Sequence, residues 1–179
     1  MQSVMTRTAT LRAPSGSMTD VFACARAQIY YNSKRKPLAQ VKRESGCSHI
    51  INGYLFNGSF QPVGWTVIDG KVISRDAYQD WGISIGSDGK PQMLTDRGGS
   101  FLSGVPLLKN GAKLERSLTP DVARSAARTA VGWMPDGRIC LWCDKTSLTR
   151  EQLQNKLLGL GEDSKVIVCH LGNGSSLAA

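Results

Sequence analysis

The sequence predicts an α/β protein of the α+β type, with a mixed, largely antiparallel sheet and a C-terminal βαβ unit. Three observations carry the prediction: β-rich runs separated by turn pairs, one capped helix near the C-terminus, and an apolar run directly after it. A strand, a helix and a second strand at this spacing are typical of two parallel strands joined by a crossover.

The length of 179 residues suits a single domain with a real core, which we expect over residues 21–179. Residues 1–20 are polar, contain Pro14 and Gly16 and lack the apolar region of a signal peptide, so we expect a loose leader there. No apolar run approaches the roughly 20 residues of a membrane span, and no membrane partner is expected. Five cysteines, an odd number, argue against a disulfide framework and favour a cytoplasmic location.

Three turns divide the middle of the chain into antiparallel hairpins. A mixed apolar stretch from Asp20 predicts a first strand, and the hairpins follow it. Asp69-Gly70 and Asn110-Gly111 are favoured pairs for two-residue hairpin turns, and residues 87–90 form a third turn signal.

The C-terminal third changes from hairpins to a strand–helix–strand pattern. "RTAVGWMPDGRICLWCD" predicts two strands around a turn, and "LTREQLQNKLLGLG" predicts a helix with Thr149 as its cap and Gln152 as the capping-box partner. "KVIVCHL" then predicts a buried strand. Parallel strands would bring Asp144 and the loop at Gly172 to one sheet edge, where ligands of α/β units usually bind.

The charge of the chain favours anionic partners. Lys and Arg number 22 against 14 Asp and Glu, a net charge of +8. A phosphorylated ligand, nucleic acid or a membrane surface would fit this excess, and so would simple solubility. The basic cluster at residues 34–43 predicts a solvated loop, although with four tryptophans it also allows sequence-independent nucleic-acid binding.

Cys140 and Cys143 form a CxxC pattern. On a strand, residues three apart point to opposite faces, so we interpret them as buried thiols rather than zinc ligands. No metal and no cofactor is expected.

The glycine-rich loop at the C-terminus suits an anion. Gly172, Asn173, Gly174, Ser175 and Ser176 offer successive backbone N–H groups and two hydroxyls, but the loop lacks the lysine of a P-loop. Its ligand could be a phosphate.

Three charged residues are further candidates. Arg128, entering a strand, suits a phosphodiester, with a surface ion pair as the alternative. Asp144, at the end of an apolar strand, is the acid/base candidate, whereas Asp69 is interpreted as a turn residue.

Taken together, these stretches resemble the phosphodiester glycosidase family, the N-acetylglucosamine-1-phosphodiester alpha-N-acetylglucosaminidase-like domain. The resemblance runs in order through "INGYLFN", "PVGWTVIDGKVIS", "SGVPLLKNG", "RTAVGWMPDGRICLWCD" and "LTREQLQNKLLGLG", over about residues 50–176. The short spacing is similar to compact versions carried by phages and prophages. The resemblance implies a phosphate half with Arg128, Thr129 and residues 172–176, and a sugar half with Asn52 and Asp144.

The chain departs from the family's Asn-Leu-Asp-Gly-Gly-Gly-Ser-Ser signature. Cys169 replaces the Asn, Leu171 replaces the Asp, and Asn173 replaces the middle Gly. Cleaving a glycosyl–phosphate bond develops positive charge on the sugar, which carboxylates stabilise, and negative charge on the phosphate, which arginine and backbone amides stabilise. The carboxylate at 171 is missing.

These departures favour a protein that binds a phosphodiester- or diphosphate-linked sugar or nucleotide with weak or no turnover. Sequestration of a host nucleotide signal by a phage protein is one such role. The first alternative is an active phosphodiester glycosidase. The second is a basic nucleic-acid-binding protein, which is disfavoured because the chain has no nucleic-acid recognition motif. Exposed sheet edges are commonly covered by a second copy, so a homo-oligomer is also expected.

Overall fold

Antiparallel sheets make up most of the chain in the computed structural model. The structure describes residues 2–7, 10–11, 19–53, 56–75, 81–92, 99–115, 117–118, 120–133, 137–159, 168–173 and 177–178. Within these residues there are three sheets, and every pair of hydrogen-bonded strands in them is antiparallel.

The strands, in chain order, are β1 (Gln2–Arg7), β2 (Thr10–Leu11), β3 (Thr19–Cys24), β4 (Arg26–Tyr31), β5 (His49–Asn52), β6 (Trp65–Ile68), β7 (Lys71–Arg75), β8 (Gly82–Ile85), β9 (Pro91–Gln92), β10 (Ser100–Ser103), β11 (Val105–Lys109), β12 (Ala112–Lys113), β13 (Ala126–Trp133), β14 (Ile139–Leu148), β15 (Val168–Asn173) and β16 (Leu177–Ala178). The helices are α1 (Leu38–Ser45), α2 (Pro120–Ala123) and α3 (Arg150–Leu158). The sheet orders are β16-β5-β1-β4, β7-β6-β10-β8-β9 and β12-β11-β15-β13-β14-β3-β2. This combination of antiparallel sheets and helices confirms the predicted α+β fold class.

The predicted hairpin turns are confirmed by their backbone angles. Asp69 and Gly70 have φ of +47° and +76°, and Asn110 and Gly111 have +51° and +76°. Positive φ at both central residues is the geometry that matches the twist of the flanking strands. The turn at residues 87–90 likewise joins β8 to β9.

The βαβ unit is present with one strand inserted into it. Both β14 and β15 pair antiparallel with β13, so they run parallel to each other on either side of it. The helix between them, α3, begins as predicted, because the Thr149 side chain accepts from the Gln152 N–H and the Gln152 side chain accepts from the Thr149 N–H. The helix ends at Leu158, with Gly159 as its C-cap, and Leu160 and Gly161 lie outside the described residues.

The prediction of a loose leader over residues 1–20 is wrong for the residues that the structure describes there. Gln2–Arg7 is β1, which pairs with β4 on one side and β5 on the other. The apolar stretch after it is divided at Ala25 between β3 and β4, which belong to different sheets. Pairing with distant strands overrides the weak local preference of a polar segment.

Three buried clusters hold the elements together. The first joins the sheets, with Ile29, Ile51, Ile83, Leu102, Val131 and Leu141 among its members. The second packs α3 against the seven-stranded sheet through Leu153 and Leu157, which are 1% and 3% exposed. Each such leucine contributes about 1.5–3 kcal/mol. The third packs α1 on β5. No helix in the described part of the chain is long and apolar enough to cross a bilayer.

Candidate functional site

Three of the residues predicted from sequence lie side by side on neighbouring strands. Arg128 of β13 pairs with Asp144 of β14 on one side and with Asn173 of β15 on the other. The sheet register therefore brings the candidate arginine, the candidate carboxylate and the start of the glycine-rich segment into one row, which we call the Arg128 row.

The side chains of Arg128 and Asp144 lie on the face of the sheet that α3 covers. Ala130 and Trp142, two residues along from Arg128 and Asp144, belong to the cluster beneath α3. Because side chains alternate between the two faces of a strand, Arg128 and Asp144 share that face. The contact of Asp144 with Lys156 of α3 agrees with this placement.

Arg128 is a buried cation. It is 2% exposed, and its guanidinium donates to the backbone carbonyl of Arg124, just after α2. Burial, followed by the neighbouring charge of Arg124, lowers the pKa of Arg128 below its ordinary value. A cation with so little water around it interacts strongly with an anion brought beside it.

Asp144 is a carboxylate held by donors on both oxygens. It is 0% exposed, its Oδ2 lies 2.7 Å from Lys156 Nζ, and its Oδ1 accepts from the Thr146 N–H at 2.8 Å. The Thr146 hydroxyl donates to the same Oδ1. This arrangement suits an ionised carboxylate that fixes α3 to β14 more than an acid that gives a proton to a ligand.

Two register shifts flank the row. From Arg128 to Ala130, β13 moves by two positions, whereas its partner β15 moves by three, from Asn173 to His170. Another shift separates Ala126 from Arg128 in the pairing of β13 with β14. Bulges of this kind bend a strand and re-aim its residues, and they are frequent beside binding sites. Leu171 and Gly172 lie within the first of these irregularities.

Thr129 does not join Arg128. Residues 128–133 of β13 pair regularly with β14, and Thr129 stands opposite Cys143. Alternation therefore places Thr129 on the other face of the sheet. It is 0% exposed, and its hydroxyl has no hydrogen-bond partner within the described part of the structure. The resemblance implied that Arg128 and Thr129 share a phosphate site, but the regular strand places their side chains on opposite faces of the sheet.

Asn52 lies near the Arg128 row because a short stretch of chain joins the row to the strand that pairs with β5. It ends β5, is 8% exposed, and its amide donates to the Gly53 carbonyl at 3.3 Å. Leu177 of β16 pairs with Ile51, and only four steps of chain separate Leu177 from Asn173. Four extended steps span at most ~14 Å. Gly174, Ser175 and Ser176 lie outside the described residues.

The cysteines behave as core thiols. Burial, with a smaller contribution from Cys24, raises the pKa of the Cys140 thiol to about 12. A thiol with this pKa keeps its proton near neutral pH. Cys143 is also buried, and among the described residues no three His, Cys, Asp or Glu side chains are grouped as metal ligands.

Two features were missed from sequence. Lys156 was treated only as part of the helix, although its position in the last turn of α3 places its ammonium beside Asp144. A cavity of about 320 Å³ lies elsewhere, and none of the predicted site residues that the structure describes lines it. Its polar lining includes Arg26, Asp69, Asp88 and Ser100.

Comparison with known proteins bears on the fold alone. No protein-family model matches the chain, and no curated protein matches it significantly. A crystal structure of a hypothetical protein from Synechocystis is similar, with a TM-score of 0.67 and 12% sequence identity over 93% of this chain and 56% of that one. The chain thus spans little more than half the length of that protein. The class established by fold is α+β, with antiparallel sheets among the described residues.

Proposed function

We propose that this protein binds a phosphodiester- or diphosphate-linked sugar or nucleotide at the Arg128 row, on a phosphodiester-glycosidase-like scaffold, with weak or no turnover. The observation that carries the proposal is the register of Arg128 with Asn173, because it sets a buried guanidinium beside the entry to the glycine-rich segment. Guanidinium and backbone N–H groups together make a favourable phosphate site.

The environment of Arg128 supports the phosphate half of the proposal. Burying a guanidinium is unfavourable, as the lowered pKa of Arg128 reflects. A phosphate placed beside it would offset part of that cost and would gain more from the interaction than at an exposed arginine.

The environment of Asp144 supports weak turnover. A general acid needs a proton and access to the leaving oxygen, whereas both oxygens of Asp144 already accept hydrogen bonds and the side chain is 0% exposed. The signature position that would supply a second carboxylate is Leu171. Ligand binding then remains while bond cleavage loses its acid or nucleophile.

The resemblance to compact phage and prophage versions extends the proposal to a role. A phage protein with these properties would sequester a host nucleotide signal in the host cytoplasm. Homo-oligomerisation through exposed sheet edges would be compatible with this role.

The binding experiment is thermal unfolding against nucleotides, cyclic nucleotides, nucleotide sugars and sugar phosphodiesters, with chromatography of each mixture. A ligand at 100 times its Kd adds about 2.7 kcal/mol, which for a chain of this size raises Tm by roughly 5–11 °C. Arg128→Lys should lose most of the shift, measured from its own unliganded Tm, because lysine cannot make the bidentate contact. Arg75→Lys, at the exposed end of β7, is the matched control.

The turnover experiment is Leu171→Asp. It should create or raise hydrolysis of a bound sugar phosphodiester if the site descends from an enzyme. Rapid cleavage by the wild-type protein would establish the alternative, an active phosphodiester glycosidase. The absence of any shift across the panel would contradict the binding proposal itself.

A further inference from the structure

Two phenylalanines display their rings on the protein surface. Phe56 and Phe60 are 46% and 40% exposed, and their rings stack with centroids 5.3 Å apart and planes 12° from parallel. Val72, 37% exposed, is the other exposed large hydrophobic residue in the described part of the chain. Stacked aromatic rings left open to solvent are a feature of surfaces that bind planar groups.

The basic loop that contains Arg35 contacts these rings. The Arg35 guanidinium carbon lies 3.8 Å from the centre of the Phe60 ring, within cation–π distance. The Tyr31 hydroxyl donates to Gln61 Oε1 at 3.3 Å, so the two loops touch at a second point. We call the surface of Phe56, Phe60 and Arg35 the aromatic platform.

Each of the two loops is organised by an asparagine. Asn57 Oδ1 accepts from the N–H groups of Ser59 and Gln61 at 2.9 and 3.0 Å. Asn32, 1% exposed, donates to the Lys36 carbonyl at 2.6 Å and accepts from the Lys36 N–H at 2.9 Å. Both loops are therefore ordered by local hydrogen bonds before any partner arrives, which reduces the entropy lost on binding.

The backbone of the platform is strained where the two loops meet. Arg35 and Phe60 have φ of +54° and +61°, in the left-handed region that large side chains rarely adopt. The other non-glycine residues in this region, Asp69 and Asn110, are hairpin turn residues for which it is usual. Strain of this kind persists where a particular side-chain placement is used, and here it sets the arginine against the exposed ring.

Unpaired positive charge surrounds the platform. Residues 31–45 carry five Lys or Arg residues and one Glu, and Glu44 is paired with Lys36. Among the residues that the structure describes, no carboxylate forms a close ion pair with Lys34, Lys42 or Arg43, although the charge of Lys34 contributes to lowering the pKa of Glu44. The loop at 56–62 carries no charge at all.

The number and placement of these positive charges indicate the size of the partner. Lys42 and Arg43 are in the last turn of α1, a helix about 12 Å long, whereas Lys34 and Arg35 precede it. Four cations on two successive segments carry more positive charge than one phosphate can neutralise, and they suit the successive phosphates of a strand.

From these features we infer that the aromatic platform and the adjoining basic segment bind single-stranded nucleic acid. Because Phe60 already contacts Arg35 and Phe56, an unpaired base would stack on the outer face of Phe56, and the backbone phosphates would lie along Lys34, Lys42 and Arg43. Stacking on exposed rings requires bases with free faces, so a duplex is disfavoured. These residues are separate from the Arg128 row, and the inference does not depend on the function proposed for that row.

The stacking contribution is tested with a fluorescently labelled 12-nucleotide oligo(dT) strand, titrated with the full chain and followed by anisotropy. Phe56→Ala should weaken binding roughly 5- to 100-fold, as expected for loss of base stacking. Phe56→Leu, which keeps apolar bulk and loses the ring, should weaken it nearly as much. Val72→Ala, a truncation of a comparably exposed residue, should have no effect, and circular dichroism melting of each variant verifies folding.

The electrostatic contribution is tested by the salt dependence of the same titration. Each phosphate neutralised on a single strand contributes about −0.7 to the slope of log K against log salt. Lys42→Gln should therefore make the slope shallower by about 0.7. Lys71→Gln removes the same charge from β7 and should leave the slope unchanged.

Several results would overturn the inference. These are no binding of the strand, equal affinity in the folded Phe56→Ala variant, or binding of a 12-base-pair duplex as tight as that of the single strand. Displacement of the strand by poly-glutamate at matched charge would indicate an acidic protein partner instead. Displacement by millimolar AMP would reassign the platform to a small nucleotide.

Discussion

Replacing Lys156 by methionine tests whether Asp144 is held by an ion pair or stands ready for chemistry. Methionine keeps the apolar stem of the lysine and removes the ammonium that lies 2.7 Å from Asp144 Oδ2. The carboxylate, 0% exposed, then loses a charged donor and cannot turn to water. It keeps the two hydrogen bonds from Thr146.

The expected cost follows from the exposure of the two partners. A hydrogen bond to a charged group contributes about 1.5–3 kcal/mol, and breaking a fully buried pair costs more. Lys156 is 41% exposed, so water screens part of the attraction and the lower end of the range applies. We expect the free energy of unfolding to fall by ~1–3 kcal/mol, a decrease in Tm of roughly 2–12 °C.

The assay is urea unfolding followed by tryptophan fluorescence, with Lys145→Met as the control. Lys145 is the exposed residue next to Asp144, and its replacement should cost little. In the double variant Asp144→Asn/Lys156→Met, the loss should be smaller than the sum of the single losses by ~0.5–3 kcal/mol. If Lys156→Met and Lys145→Met unfold alike, the ion pair does not stabilise the fold, and Asp144 regains its standing as a catalytic candidate.

Two further predictions concern stability. Gly82→Ala should destabilise the protein by ~3 kcal/mol or more, because its Cβ would lie 2.2 Å from the Leu102 carbonyl oxygen and 2.7 Å from the Phe101 ring, whereas Gly58→Ala meets nothing and should be neutral in urea unfolding. Cys140→Ala should reduce the alkaline loss of stability between pH 9 and 12. The folded pKa of about 12 lies above the ordinary 9.0, so the unfolded thiol ionises first as pH rises, a difference of up to ~4 kcal/mol. Equal pH profiles for the variant and the wild type would contradict this.

The hairpin turns and α3 were predicted correctly because their causes are local. The positive φ values at Asp69-Gly70 and Asn110-Gly111 are properties of residue types within the turn itself. The capping box of α3 likewise involves residues three positions apart.

The position of β1 was missed because its cause is distant. The polar segment Gln2–Arg7 has little strand preference of its own, and it becomes the middle of a sheet through pairing with β4 and β5. The two partners lie some twenty to fifty residues along the chain, and no pattern within residues 1–20 indicates them.

The candidate site was predicted in part. The sequence indicated that Asp144 and the segment from Gly172 reach one edge of the sheet, and the parallel course of β14 and β15 agrees with that expectation. Insertion of β13 between them, which makes Arg128 the centre of the row, depends on strand order and register. The separation of Thr129 from Arg128 likewise depends on which face of β13 is packed under α3.

The sequence by itself determined the turns, the capped helix, the excess of positive charge and the apolar residue at position 171, because each is a property of residue types or of near neighbours in the chain. Only the tertiary structure decided that Arg128 is buried and that Lys156 is paired with Asp144. It also decided that Phe56 and Phe60 are exposed and that Arg35 lies over the Phe60 ring. Burial and pairing depend on which distant segments meet. The segments that meet are those that minimise the free energy of the whole chain, including the entropy lost in closing long loops. The free energy of any one segment does not decide which segments meet.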